Sequence, residues 1–545
     1  MKEIDIVSVL FVFVAGLIAY IFGLYVPVLE IDSAQYASIS REMLASGNYL
    51  QVQHRFTDYL DKPPLLFGLS AFSMKVFGVN SFAFKLPSFL FSILGFYSTY
   101  KLATILYNRT VGIISSLILF TTLSIFLFNQ DVRTDTILTG AVIFSIWQLT
   151  LFIREQKLMN LILGFIGIAA AMLSKGPIGL MVPVLAIGVD LIIKKKWKDI
   201  FNYKWIFGLV ILAILLFPMS WGLYQQFGWT GVKFFYWTQS FGRITGENVW
   251  KNDTGYFFFV HTYLWAFLPW SFAGIIALYE RIKILIKSKF KMQLHEEIIT
   301  LAGFILPFIA LSFSKYKLPH YIFVVFPLLS ILTAKYLENV LINYKPKNFK
   351  FLITTNYISQ VIIWAILLVS LIWFFPADNI IIYLIAILLL LIVFFLHSRK
   401  SQLFNKLIIS LAVSSIALNL ILNIHLFPNL LSYQSGVNVA RIFNENKNKD
   451  DKIIALNLHS HSLDYYSEQI VPNISDIDSL FEILPNYQWL WVPAKDLKGV
   501  KSLLKNKYQI YEINNFQVSR LNLKFLNPKT RDKQLERRYL IRIEK

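Results

Sequence analysis

Asp32, Asp58 and Asp61 stand beside Arg41, Arg55 and Lys62 in the first long polar stretch of the chain, LEIDSAQYASISREMLASGNYLQVQHRFTDYLDKPP. A carboxylate held next to a bilayer can orient or deprotonate an incoming nucleophile, and a neighbouring cation can hold a phosphate. The stretch is therefore the expected seat of chemistry. Further groups of the same kind follow. Asp131, Arg133 and Asp135 form a second acidic cluster, and Lys175 interrupts two apolar runs within SKGP. Arg243 lies in the aromatic-rich FYWTQSFGRITGENVW, and His320 closes FSKYKLPH.

Each has an everyday alternative. Asp32 precedes a helical pattern, where an N-cap is the commonest role of an aspartate. Lys62, before Pro63 and Pro64, could snorkel to headgroups. A lone histidine such as His320 is usually a structural hydrogen-bonder. His459 and His461 in LHSHS offer two metal ligands without a clear third, which favours a surface loop. Lys175 is the hardest to treat as incidental. A cation near hydrocarbon costs about 2.5–3.5 kcal/mol at mid-span and less toward the edge, so an anionic partner is expected. A guanidinium such as Arg243 suits phosphate because it can bind two oxygens at once.

The elements that must position these groups follow from composition. With 56% hydrophobic and only 15% charged residues, the chain cannot be a soluble globule with one ordinary core. Its net charge of +20 sits largely in short clusters between apolar runs, a pattern that sets membrane orientation and argues against a nucleic-acid partner. The absence of cysteine excludes disulfides, thiolate nucleophiles and cysteine-bound metals. The opening apolar run has a thin charged start and reads as a retained first span.

Spans are expected at about 6–27, 82–106, 111–128, 134–153, 158–173, 177–193, 204–227, 255–280, 298–314, 319–338, 351–375, 379–396 and 406–427, roughly thirteen in all. Residues 63–78 are apolar but short and open on two prolines. If they lie in the interface, the clusters at Lys194–Lys196, Arg281 and Lys345 all fall on one side, the cytoplasmic one. Residues 33–45 form a second juxtamembrane helix. The polar segments carrying Asp32, Asp135, Lys175, Arg243 and His320 then converge on the opposite, external face. Residues 1–428 are expected to form the transmembrane unit, with the catalytic first external loop at 28–81. Residues 429–545 are expected to form a soluble external α/β domain, with strands near 452–457, 489–492 and 508–513 and a helix at 494–504. The overall expectation is a polytopic α-helical membrane protein with this small appended domain. No repeat or nucleotide-binding glycine fingerprint is present.

Read together, these segments resemble the membrane-embedded glycosyltransferases of the GT-C class, in the group of aminoarabinose transferases and protein O-mannosyltransferase-like enzymes. The resemblance rests on Asp32-Ser33-Ala34-Gln35-Tyr36-Ala37 with Arg41-Glu42-Met43-Leu44, on Tyr59-Leu60-Asp61-Lys62-Pro63-Pro64, on Ser174-Lys175-Gly176-Pro177 and on Lys317-Leu318-Pro319-His320-Tyr321, in order over about residues 1–340. It implies a sugar donor on polyprenyl phosphate and an acceptor that is a lipid A-like glycolipid, another envelope glycan or a protein. The enzyme would sit in the inner (plasma) membrane. It implies Asp32 as the key acid, assisted by Asp135, and Lys62, Lys175 and Arg243 as the phosphate site. Asp61, Tyr36, Asp131 and His320 are further candidates for sugar hydroxyls or a cation; no cofactor is certain, and a divalent cation stays open. A lipid-linked oligosaccharide ligase and a transporter are the rival classes. Ser33 and Gln35 depart from the group's Glu and Arg, so one donor-phosphate contact is missing or supplied elsewhere. Thr238, Gln239 and Ser240 stand where aminoarabinose transferases tend to carry a histidine.

Overall fold

The structure, a computed structural model, describes residues 5–240, 242, 252, 254–288, 296–343, 346–398, 402–504 and 507–544. Arg243 and Lys345 lie outside the described residues. Apolar sequence in a bilayer must satisfy its backbone internally, which makes helices the outcome for nearly all of the first 431 residues. In chain order these begin with α1 (Ile6–Tyr25), α2 (Asp32–Ser46), a short hairpin of β1 (Gln53–His54) and β2 (Thr57–Asp58), α3 (Leu65–Phe77) and α4 (Ser81–Leu106). There follow α5 (Arg109–Phe120), α6 (Leu123–Gln130), α7 (Thr134–Glu155), α8 (Leu158–Lys175) and α9 (Ile178–Ile193). Asn80 and Asn108 cap α4 and α5 by accepting from Ala83 N and Val111 N at 2.9 and 3.0 Å.

Among the described residues, eight helices are long and apolar enough to cross a membrane, nine when α5 and α6, bent by 50° to each other, count as one span. The chain is thus a multi-pass membrane protein. Every expected span meets a helix, but beyond the bent pair α5–α6 four more fall short of an unbroken crossing. Ile178–Ile193, Ile299–Ser312 and Ile380–Leu396 are short, and the 255–280 stretch divides into Phe258–Ala266 and Ser271–Lys287. The break encloses Leu268-Pro269, where proline removes a backbone donor. Both stretches expected as juxtamembrane helices are helical, as α2 and α3.

Close approach of α4 and α7 depends on one small residue. A Cβ on Gly140 would stand 2.1 Å from the backbone oxygen of Phe91, so the two helices meet at a distance only glycine permits. The segment that leads into α2 is fixed from several directions. Lys85 of α4 donates to the orphan carbonyls of Gly23 and Val26 at the end of α1, at 3.0 and 2.7 Å. Gln434 donates to Val28 O at 2.9 Å and accepts from Glu30 N at 2.9 Å, while Val28 N donates to the Tyr466 hydroxyl at 2.8 Å. Residues 400 positions downstream therefore decide where Asp32 stands.

Beyond Leu431 the chain forms a five-stranded sheet from β3 (Ile453–Leu456), β4 (Asn473–Ile474), β5 (Trp489–Pro493), β6 (Tyr508–Asn515) and β7 (Glu536–Ile543), in the order β4-β3-β5-β7-β6. The pairs β3–β4 and β3–β5 are parallel, and β7 runs antiparallel to both β5 and β6. Strands near 452–457, 489–492 and 508–513 and the helix Ala494–Leu503 match expectation. The sequence reading missed β4 and β7. The charged ERRYLIRI of β7 hides a strand because its arginine stems can lie along the sheet while their heads reach water. Arg538 and Arg542 pack over the rings of Trp491 and Trp489 at 5.4 Å each.

The sheet region docks on the first polar stretch. Glu30 accepts from Ser462 N at 3.0 Å and from the Ser460 hydroxyl at 2.5 Å, and Arg55 donates to Asp464 and, at 2.7 Å, to Val471 O. The surface loop expected at His459 and His461 is met at His459, which is exposed and outside any helix or strand, and is corrected at His461, which begins a short helix, His461–Ser467, against α2 and beside His54 of β1. Burial, with Arg55 and the neighbouring imidazoles, lowers His459 to about 4 and His461 to about 3, so both rings are neutral at physiological pH.

Candidate active site

Asp135 lies in the first turn of α7, and Lys175 is the last residue of α8. The two helices are antiparallel neighbours, so these termini share one side, and the helix dipoles favour an anion at the first and a cation at the second. α8 stops at Lys175 because Gly176 takes φ +83°, a backbone conformation that strains any residue with a side chain. Lys175 Nζ donates to Asp135 Oδ1, which supplies the anionic partner its position demands. The ammonium also rests 3.9 Å from the ring centroid of Tyr321. His320 Nε2 stands 3.7 Å from the second oxygen of Asp135.

The next element brings Asp32. It occupies the first turn of α2, but its side chain makes no capping hydrogen bond. The N-cap expectation gives way to a stronger attraction: Arg133 Nη1 donates to Asp32 Oδ2, and the same guanidinium donates to Asp131 Oδ2 from Nε at 3.2 Å and from Nη2 at 2.9 Å. Burial lowers Arg133 to about 10, opposed by Asp135 and Tyr321, so the group stays cationic at neutral pH.

Lys62 donates to Asp61 Oδ2 at 2.7 Å, and Gln239 donates to the backbone oxygen of Asp61.

Asp32, Gln35, Tyr36, Tyr59, Asp61, Lys62, Arg133, Asp135, Lys175, His320 and Tyr321 all line one polar cavity of about 360 Å³. Of the nine site residues expected from sequence, this brings together Asp32, Asp135, Lys62, Lys175, Asp61, Tyr36 and His320. Asp131 does not line the cavity. Its carboxylate is turned to Arg133, because a buried guanidinium needs a counter-charge on more than one side, so its expected contact with sugar or cation is replaced by orientation of that arginine. Arg243 lies outside the described residues.

Two lining residues went unnoticed as site groups. Arg133 was visible only as a charge between two aspartates, although the missing arginine at position 35 was a reason to look for a substitute. Tyr59 directly precedes Leu60-Asp61-Lys62, and its buried hydroxyl has no hydrogen-bond partner among the described residues. Burial raises its pKa, so it is a donor available to a bound molecule.

A second, largely apolar cleft of about 80 Å³ shares Lys62, Lys175 and Tyr321 with the polar cavity and continues past Pro177, Ile178, Met181 and Leu311. The joint space offers a charged end and a hydrocarbon-like extension. An amphiphile with an anionic head fits that pattern.

A family profile described as "Dolichyl-phosphate-mannose-protein mannosyltransferase" matches residues 61–221. An undecaprenyl phosphate-alpha-4-amino-4-deoxy-L-arabinose arabinosyl transferase of Enterobacter sp. (strain 638) is 26% identical over 56% of this chain and 54% of its own length. The chain thus spans about half the length of the curated relatives it matches. An uncharacterized protein of Aquifex aeolicus (strain VF5) is 26% identical over 66% of this chain and 68% of its own. Among solved structures, ArnT from Cupriavidus metallidurans bound to undecaprenyl phosphate has a TM-score of 0.73 at 16% identity, covering 99% of this chain and 98% of that one. At that identity the likeness is one of fold, and it extends through the sheet region.

Proposed function

We propose that this chain, a membrane-embedded glycosyltransferase of the aminoarabinose transferase and protein mannosyltransferase type, moves a sugar from a polyprenyl phosphate to an acceptor at the membrane face where Asp32 and Lys175 meet. The observation that carries the reading is the junction of the two spaces: the polar cavity and the apolar cleft share Lys62, Lys175 and Tyr321. Lipid phosphate at the junction would leave its sugar among the aspartates and its first isoprene units in the cleft.

The hard step is cleavage of the bond between the anomeric carbon and the phosphate oxygen. Negative charge grows on the departing phosphate while the ring gains positive character. Lys62, Lys175 and Arg133, fixed near that phosphate, stabilise the transition state more than the ground state, which is the requirement for catalysis. Arg243 joins them in this reading. Asp32 orients the acceptor or takes its proton; an acceptor that is itself an ionised phosphate needs orientation only. Asp135 holds Lys175, His320 stands beside Asp135, and with Asp61 and Tyr36 they face the sugar hydroxyls. Tyr59 donates to a sugar or phosphate oxygen. The acceptor in the first reading is a lipid A-like glycolipid or another envelope glycan, because the relatives bear the name of arabinosyl transferases. The family profile, named for mannosylation of protein, favours a protein acceptor as the second reading.

The basic ends of the helices support an orientation with the cavity outside the inner membrane. Asp135 opens α7 and Arg154 lies in its last turn, and α9 runs out into Lys194, Lys195 and Lys196. The sheet region, docked on Glu30 and Arg55, shares the cavity's side.

The test is a purified full-length preparation given a single-sugar polyprenyl phosphate or a polyprenyl diphosphate oligosaccharide, with acceptor glycolipid or peptide. Release of polyprenyl phosphate from the first donor alone supports the proposal. Consumption of the diphosphate donor alone makes the chain a ligase, and consumption of neither ends the transferase reading.

A further inference from the structure

The polar groups outside the cavity include a cluster that the proposed reaction does not use. His459, His461 and Asp464 each turn one ligand atom toward a common point, all within 4.8 Å of one another. His54, from β1 and some 400 residues distant in sequence, stands beside them: its Nε2 is 3.2 Å from His461 Nδ1. His459 Nε2 lies 3.9 Å from Asp464 Oδ2.

We propose that His54, His459, His461 and Asp464 bind one divalent transition metal of the zinc class, fastening the sheet region to the hairpin of the first polar stretch. Four ligands at about 2.0–2.1 Å in a tetrahedron stand roughly 3.3 Å apart. The His54–His461 spacing already meets that figure, and the ligand atoms of His459, His461 and Asp464 close by about 1.5 Å at most on binding. Three imidazoles and one carboxylate suit zinc, while hard oxygen-seeking ions such as calcium and magnesium disfavour them.

The surroundings are those of ordered metal ligands. Glu42 Oε1 sits 3.1 Å from His54 Nδ1 and aims the opposite nitrogen at the cluster. Val471 N donates to Asp464 Oδ1 at 2.9 Å, and Arg55 donates to Oδ2, which the metal shares with the guanidinium. His459 and His461 also border a cavity of about 280 Å³ between Glu30 and Arg538, through which an ion can reach them. The metal acts as a staple. It takes no part in sugar transfer, so the proposal stands whether or not the transferase reading does.

The experiment titrates chelator-treated full-length protein in detergent with Co²⁺ and then Zn²⁺. Expected are about one equivalent of Co²⁺ with the intense visible bands of a tetrahedral nitrogen-oxygen site, its displacement by Zn²⁺, and a rise in Tm with Zn²⁺. The double variant His459→Asn/His461→Asn loses affinity by ~100-fold or more and its Tm no longer responds. Should that variant not fold, His54→Gln provides the second arm, with the Co²⁺ bands altered by loss of one nitrogen ligand. No Co²⁺ bands in the wild type, or bands unchanged in either variant, overturns the proposal.

Discussion

Two polar cavities lie at opposite ends of α7–α9, and the larger is not the candidate active site. The one toward the basic loops has a volume of about 840 Å³, against about 360 Å³ for the one around Asp32. In the larger cavity the carboxylates serve the scaffold. Glu297 accepts from Thr300 N at 2.9 Å as a helix cap, and Asp190 accepts from Ile298 N at 3.0 Å and pairs with Lys194 at 2.8 Å. In the smaller one, Asp32, Asp135, Lys62, Lys175 and Arg133 come from separate segments and meet where an apolar cleft begins. Convergence of unlike charges at a lipid-shaped opening identifies a reactive site better than volume does.

The sharpest way to break that comparison is Asp32→Asn. If Asp32 orients or activates the acceptor, transfer falls by about 10²–10⁴-fold while the protein elutes and melts as wild type. Near wild-type turnover would remove it from the mechanism. Lys175→Ala comes next, with a loss of roughly 10²-fold in kcat/KM and weaker binding of a polyprenyl-phosphate analogue, read on the fraction that remains folded by gel filtration. Because Asp135 would be left buried without its cation, a stability loss of about 3 kcal/mol accompanies it, and Asp135→Asn in the same molecule restores part of the stability but not the rate. Tyr59→Phe removes one unpartnered donor; a fall of about five- to tenfold is expected, corresponding to roughly 1–1.5 kcal/mol for one hydrogen bond. At the other cavity, exposed Lys196→Ala should leave activity within about twofold and stability within about 0.5 kcal/mol. A loss there as large as that of Tyr59→Phe would mean the two cavities are coupled.

The helical membrane architecture was legible because hydrocarbon imposes a simple rule, namely long apolar runs with polar punctuation, and α1, α4, α7 and α8 obey it. Chain order likewise made the acidic and cationic segments recognisable. What could not be read was partnership. Arg133 sits on Asp32, and Lys175 on Asp135, because separate helices pack at fixed angles, and no local pattern encodes that angle. The strand β7 escaped notice for a related reason: its arginines look solvated until two tryptophans are placed beneath them.

By itself the sequence determined that the chain spans a membrane, that its polar chemistry gathers at one face, and which residue types were available there. These follow from transfer energies and helix periodicity, which are properties of short segments. Only the tertiary structure decided that Asp131 supports Arg133 and does not line the cavity, that Tyr59 is left with a hydroxyl to offer, and that His54 meets His461. Such contacts join residues up to about 400 positions apart, and their existence depends on how the whole set of helices and the sheet close on one another.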